Sequence, residues 1–266
     1  MRPQLKADAE LAIIDFIRSK VEESGCGGVV VGLSGGIDSA LVTKLCVDAI
    51  GPDKVLNIFL PSRSTPEEDR KDVVMLARHF DTELTTIEIT PVLESYSKIL
   101  PSVERKELAG NLMARIRMSV LYHHARMKDL LVMGTGNKSE LLMGYFTKFG
   151  DGGADFLPIG DLYKTEVREL AGRMGIPVRI IEKTPSAGLW PGQTDEGEMG
   201  ISYEELDRIL LGIELLLDDE VISSRTGLDL ELVRSVRSKH MASAHKRKMP
   251  LIPKLGVRTI GSDWRE

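Results

Sequence analysis

Residues 32–39 read Gly32-Leu33-Ser34-Gly35-Gly36-Ile37-Asp38-Ser39, directly after the β-branched run Val29-Val30-Val31 and directly before an apolar helical pattern. The order is strand, glycine turn, helix. Such a turn aims successive backbone N–H groups and a helix N-terminus at one point, which suits a phosphate chain. Gly35 and Gly36 let the backbone approach a ligand closely, and Ser34 and Ser39 add hydroxyl donors. Asp38 places a carboxylate where a bare phosphate would be repelled, so a metal ion between the two completes the chemistry. The lysine and Ser/Thr of a P-loop are missing, and so is the Gly-x-Gly-x-x-Gly pattern. An ordinary βα turn is the bland alternative. The full Ser-Gly-Gly-x-Asp-Ser after a buried strand favours pyrophosphate binding over it.

A second strand-to-helix turn follows at Gly134-Thr135-Gly136-Asn137-Lys138-Ser139-Glu140. Asn137 and Glu140 have the spacing of a helix capping box. Glu140 serves equally well as a second carboxylate on the metal of Asp38, and both readings stand. Asp161-Leu162-Tyr163-Lys164 opens a further helix with Asp161 as the expected cap. Lys164 then lies in the first helical turn, against the macrodipole, where an anionic ligand would offset its charge. A solvated surface lysine is the alternative. The glycine-rich stretch 144–155 is too rich in aromatic and charged residues for a spacer, although Asp151 reads as a solvated turn residue. Arg115 lies at the edge of an apolar helical stripe, where snorkelling and substrate binding are equally expected. His123 falls within the same stripe and reads as a satisfied core histidine. His245-Lys246-Arg247-Lys248 is a basic cluster, either a solvated face or a phosphate clamp.

These residues need elements to position them. Apolar spacing gives helices over 5–23, 39–49, 66–79 and 108–128, and strands over 28–33, 55–60, 83–89 and 130–133. Pro66 and the acids after it mark a helix start. Residues 203–244 read as all-helical. Alternating strands and helices make an α/β chain with a Rossmann-like parallel sheet covered by helices on both faces, plus a helical C-terminal extension. Ligands then sit at the carboxyl ends of the strands, where both glycine turns lie.

Composition excludes several classes. The 266 residues carry a net charge of −5, which disfavours a general nucleic-acid binder. No apolar run is long enough for a membrane span and no signal peptide is visible, so a cytoplasmic protein is expected. The two cysteines, Cys26 and Cys46, lack Cys-x-x-Cys spacing and read as free thiols. No repeat or linker divides the chain, and one domain over 1–266 is expected.

The glycine loop resembles the pyrophosphate loop of the N-type ATP pyrophosphatases. With the segments 134–140, 145–152, 158–165 and 185–196 in order, the chain resembles the ammonia-dependent NAD synthetases over most of its length. The resemblance implies an adenine nucleotide alpha hydrolase-like fold and a ligase using ATP, deamido-NAD, ammonia and Mg2+. It assigns ATP contacts to residues 32–39, Thr135, Lys164 and Ser186, and magnesium to Asp38 and Glu140. Arg115, Lys148, Asp155, His245 and Lys246 match positions that contact deamido-NAD. Ser186 and Gly188 stand where many bacterial relatives have Thr and Asp; the hydroxyl survives that change and the carboxylate does not. The implied reaction is adenylylation of the nicotinate carboxylate, then amidation. Asp155 is placed either to orient the nicotinate end or to receive ammonium. A separate glutaminase subunit could supply the ammonia, and the resemblance implies a homodimer. Met118, Leu121 and Ala125 give the 108–128 helix a second apolar face, open either to a partner or to this chain's own C-terminal helices. The stretch 183–200 shows no sustained period and is expected to be a lid rather than a static loop.

Overall fold

The computed structural model describes residues 1–190 and 192–260; Pro191, within the 185–196 motif and the expected lid, and residues 261–266 lie outside the described residues. The elements run α1 (Ala9–Ser24), β1 (Gly28–Gly32), α2 (Ile37–Ile50), β2 (Val55–Phe59), α3 (Glu67–His79), β3 (Glu83–Thr86), α4 (Thr90–Ser97), α5 (Lys106–Lys128) and β4 (Leu130–Met133). They continue through α6 (Lys138–Met143), α7 (Lys164–Arg173), α8 (Val178–Ile181), α9 (Asp195–Met199), α10 (Tyr203–Glu214), α11 (Asp219–Thr226) and α12 (Leu230–Ala242).

The four strands form a parallel sheet in the order β3-β2-β1-β4. β1 and β2 are apolar on both faces because helices cover both. Val29 and Val31 pack into one core with α1, α2, α3, α7 and α8. Val30 packs into the other with α5 and the residues before and within α4. A third apolar cluster joins α10, α11 and α12 to Met143 and Tyr163, so the helical extension sits against the ends of α6 and α7. The strand order reverses direction at β1, between β2 and β4. Loops leaving β1 and β4 therefore diverge, and that crevice is where α/β sheets bind ligands.

Several sequence expectations change. The first helix begins at Ala9, not Leu5. The third strand ends at Thr86, yet Ile87 and Ile89 continue hydrogen bonding to Phe59 and Pro61, both at 2.9 Å. Helix α4 was not anticipated; Pro91 in its first turn starts it. Pro66 precedes α3 as its cap rather than opening it. Asp161 does not cap α7: Tyr163 stands at that position, while the exposed Asp161 pairs with Lys138 at 3.0 Å. His123 is exposed, not a core histidine; its neighbour His124 is the half-buried one, with Nδ1 2.9 Å from the Val120 carbonyl. The second apolar face of α5 is covered from within this chain: Leu121 packs over Gly32, Met118 over Gly153, and Ala125 is buried. The 183–200 stretch is not wholly irregular, since Asp195–Met199 form α9.

Candidate active site

The first turns of four helices carry the charged residues of the crevice: Asp38 in α2, Glu140 in α6, Lys164 in α7 and Asp195 in α9. Lys164 is only 1% exposed. Its Nζ lies 2.5 Å from Asp38 Oδ2 and 3.5 Å from Glu140 Oε1, and stands over the Tyr203 ring. A cation at a helix N-terminus is unfavourable on its own. Here the acids of neighbouring helices offset it. Burial pulls the Lys164 pKa down, but Asp38 and Glu140 outweigh that and hold it above its ordinary value.

Glu140 makes the capping box that the sequence allowed and keeps its other oxygen turned to Lys164. Its Oε2 accepts from the Asn137 N–H at 3.2 Å while Asn137 Oδ1 accepts from the Glu140 N–H at 3.0 Å, a complete capping box. Its Oε1 faces Lys164. Asn137 also donates through Nδ2 to Asp38 Oδ1 at 3.0 Å, which fixes one carboxylate relative to the other.

The crevice is short of positive charge. Burial first, then the Asp38 and Asp195 carboxylates, push the Glu140 carboxyl up to about 8, with Lys164 opposing. Asp195 is raised as well, mainly by burial. Its Oδ1 is buried without a hydrogen-bond partner, the one such side-chain atom among the described residues. Asp38 and Glu140 remain 18% and 17% exposed, so their oxygens reach the crevice. Hard oxygen donors with surplus negative charge suit a divalent cation that completes its shell with substrate phosphates. Among the described residues no three acidic, histidine or cysteine side chains group closely enough to hold a metal alone.

The glycine loop lies beside this cluster. Ser34 Oγ and Ser39 Oγ stand 3.0 Å apart, Ser39 Oγ donates to Gly36 O at 3.0 Å, and Ser34 N–H donates to Ser39 Oγ at 3.2 Å. Gly32 and Leu33 lead into the loop, and Ile37 starts α2 from a buried position. Thr135 is half-buried just past β4. Ser186 is exposed and accepts the Gly188 N–H within its own turn at 3.1 Å.

The residues expected to meet the dinucleotide gather around the 144–150 loop. Arg115 donates to Lys148 O at 3.3 Å, and Lys148 Nζ donates to His245 O at 2.9 Å. Lys246 Nζ donates to Gly144 O and Phe146 O, both at 2.7 Å. In this arrangement Lys246 holds loop carbonyls. Asp155 sits at the end of β4, accepting from Tyr122 Oη at 3.0 Å and from Val132 N–H at 2.8 Å. Asp151 is exposed and closes the loop by accepting from Thr147 N–H at 2.8 Å.

Asp207 escaped the sequence reading, and Arg247 and Asp195 were named there only within longer stretches. Asp207 of α10 is wholly buried and accepts from Ser139 Oγ at 2.5 Å, Thr165 N–H at 2.9 Å and Thr165 Oγ1 at 2.8 Å. Ser139 Oγ also accepts from Lys164 N–H at 2.9 Å. One carboxylate thus sets the N-termini of both α6 and α7. Its signal was a charge on the apolar stripe of Tyr203, Leu206 and Leu210. Arg247 Nη1 donates to Leu141 O at 3.1 Å and Leu142 O at 2.9 Å, tying the C-terminal end of α6. Asp195 opens α9 after the Thr194 cap, a pattern of the kind that marks helix starts elsewhere in the chain.

A parallel sheet with a phosphate-type loop and a lysine between two carboxylates at its switch point defines an ATP-handling α/β protein of Rossmann-like fold. Residues 10–250 match the profile of the NAD synthase family, and the chain belongs to that family. It is 48% identical over 254 residues to the NH(3)-dependent NAD(+) synthetase of Methanococcoides burtonii, covering 95% of this chain and 96% of that one. Two solved structures are similar. The NMN synthetase of Francisella tularensis matches with TM-score 0.83 and 36% identity, covering 92% of this chain and 97% of that one. The NH3-dependent NAD synthetase of Campylobacter jejuni matches with TM-score 0.79 and 36% identity, covering 93% and 98%.

Proposed function

We propose that the chain makes NAD from deamido-NAD, ATP and ammonia, in one catalytic domain. The observation that carries this reading is the buried Lys164 between Asp38 and Glu140, beside the glycine loop at the switch point of the sheet. A nicotinate carboxylate oxygen bonds to the α-phosphorus of ATP, and the bond from that phosphorus to pyrophosphate breaks. Charge grows on the leaving pyrophosphate. The amides of residues 34–39, the α2 N-terminus and Lys164 stabilise it from fixed positions. Magnesium, held by Asp38 and Glu140 together with the substrate phosphates, would add neutralising charge there. Ammonia then bonds to the acyl carbon, AMP leaves with the electron pair of the broken C–O bond, and a proton is released. Asp155, steadied by Tyr122 and Val132, serves the nicotinate end, to orient it or to receive the ammonium. Arg115, Lys148 and His245 line the dinucleotide side.

No helix among the described residues is long and apolar enough to cross a membrane. A cytoplasmic homodimer agrees with the family resemblance. Exposed Val92, Tyr96, Ile99, Leu100 and Leu108, on and around α4 and the start of α5, offer an apolar surface for pairing. The purified chain should release AMP and NAD only when ATP, deamido-NAD and ammonium are all present, faster at higher pH as more NH3 forms. Efficient use of glutamine by the chain alone would refute ammonia as the donor. Nicotinate mononucleotide is the decisive rival substrate, since the Francisella neighbour bears the name NMN synthetase. Higher kcat/KM on the mononucleotide would move the assignment there.

A further inference from the structure

The glycine loop is held from below by charges that the reaction does not use. Lys183, after α8, donates through Nζ to Gly35 O at 3.3 Å, Asp69 Oδ1 at 2.7 Å and Asp72 Oδ2 at 2.8 Å. Asp72 is 1% exposed, and its other oxygen accepts from Arg179. Gly35 is buried with φ +83°, and a Cβ there would stand 3.2 Å from Asp69 O and 3.3 Å from Asp72 Cβ. The loop therefore rests directly on α3, and two carboxylates lie under a segment suited to an anion. Burial works against the Lys183 charge, but its hydrogen bonds to Asp69 and Asp72 raise its pKa, so it stays cationic.

The peptide geometry adds a second consequence. In a trans peptide the C=O and N–H point in opposite directions. With Gly35 C=O turned to Lys183, the Gly36 N–H is turned the other way, where Ser34 Oγ accepts it at 3.3 Å. That N–H is one of the donors a phosphate would recruit.

We propose that Lys183 is a positioning residue for the pyrophosphate of ATP: it locks the Gly35–Gly36 peptide with its N–H toward the ligand and, together with Arg179, offsets the Asp69 and Asp72 charges beneath it. The inference rests on reading residues 32–39 as the pyrophosphate site. It is distinct from the role of Lys164, whose partners are Asp38 and Glu140 across the crevice.

The test combines steady-state kinetics with calorimetric titration of inorganic pyrophosphate and a non-hydrolysable ATP analogue, with magnesium present. Lys183→Met should raise KM for ATP and weaken pyrophosphate binding about tenfold, as expected for losing a local focusing charge. KM for deamido-NAD and kcat should stay within about twofold. Lys183→Arg should restore most of the affinity. Asp69→Asn, a half-buried side chain at the edge of the cluster, should tighten pyrophosphate binding about twofold by removing a like charge. Unchanged pyrophosphate affinity in Lys183→Met, or a loss spread equally over kcat and both KM values, overturns the proposal. If Lys183→Met does not fold, the Asp69→Asn arm decides: tighter binding supports the proposal, and unchanged or weaker binding overturns it. Failure of the unaltered protein to bind either ligand would instead refute the loop assignment itself.

Discussion

The two ends of α6 are held by opposite chemistry. At the N-terminal end Asn137 and Ser139 are wholly buried and Asp207 reaches in from α10, so an acid meets the positive end of the helix. At the C-terminal end Gly144 turns with φ +66°, and the cations Arg247 and Lys246 take the carbonyls of Leu141, Leu142 and Gly144. Each arrangement follows the macrodipole. A helix of six residues cannot sustain itself, because its hydrogen bonds barely repay nucleation. Residues far along the chain must therefore fix it. The difference is one of rigidity: the buried end carries Glu140 and the crevice, while the half-exposed end carries the 144–150 loop.

That contrast can be broken most severely at the chemistry itself. Asp38→Ala and Glu140→Ala should each lower the rate about a hundredfold or more while the protein stays folded, each removing a carboxylate from the proposed magnesium site. Near-normal turnover of Glu140→Ala at saturating magnesium would reduce Glu140 to a helix cap. Next comes Asp207→Ala, which strands the Thr165 N–H and the Ser139 and Thr165 hydroxyls in a dry interior. Urea unfolding should show a loss of about 2–4 kcal/mol, and activity should fall with it as Lys164 and Glu140 lose their footing. Arg247→Ala, at the opposite end, should cost only about 1 kcal/mol and act mainly on KM for deamido-NAD. Equal stability losses from Asp207→Ala and Arg247→Ala would erase the claimed asymmetry. The smallest effect concerns the thiols. Burial pushes Cys46 up to about 12, so below that pH it stays a protonated, inaccessible thiol. Alkylation at pH 8 should modify Cys26 alone in the native protein and both cysteines in denaturant; rapid native labelling of Cys46 would show that α2 opens readily.

The sheet was legible because β1, β2 and β4 are short apolar runs closed by glycine or proline, because β3 alternates, and because β1 and β4 each run into a glycine turn. Local spacing placed Asp38, Glu140 and Lys164 in the first turns of their helices, and the family resemblance tied them to one site. What spacing could not convey was direction. His123 and His124 are adjacent on α5, and one residue of rotation decides which is half-buried. Met118 and Leu121 left a partner and this chain's own C-terminal helices both open, because the pattern shows a face but not that Gly32 and Gly153 leave room for them. Asp161 looked like a cap because the backbone turn two residues later is a property of packing against α6. Asp207 and Lys183 were hidden for a further reason: each serves residues distant in sequence, Asp207 the turn at Ser139 and Lys183 the turn at Gly35.

The clasp on α6 also bears on how the enzyme is made. The glycine loop leaves the ribosome before Glu140, and Glu140 leaves it before Asp207 and Arg247. Domains form as their parts emerge, from the N-terminal side onward. The growing chain can therefore assemble its sheet while both ends of α6 are still unsecured. Until residues around 207 have emerged, the nascent chain has its glycine loop but not the clasp on the end of α6 that carries Glu140, and a chain interrupted before that point should be folded in part with its crevice unsettled.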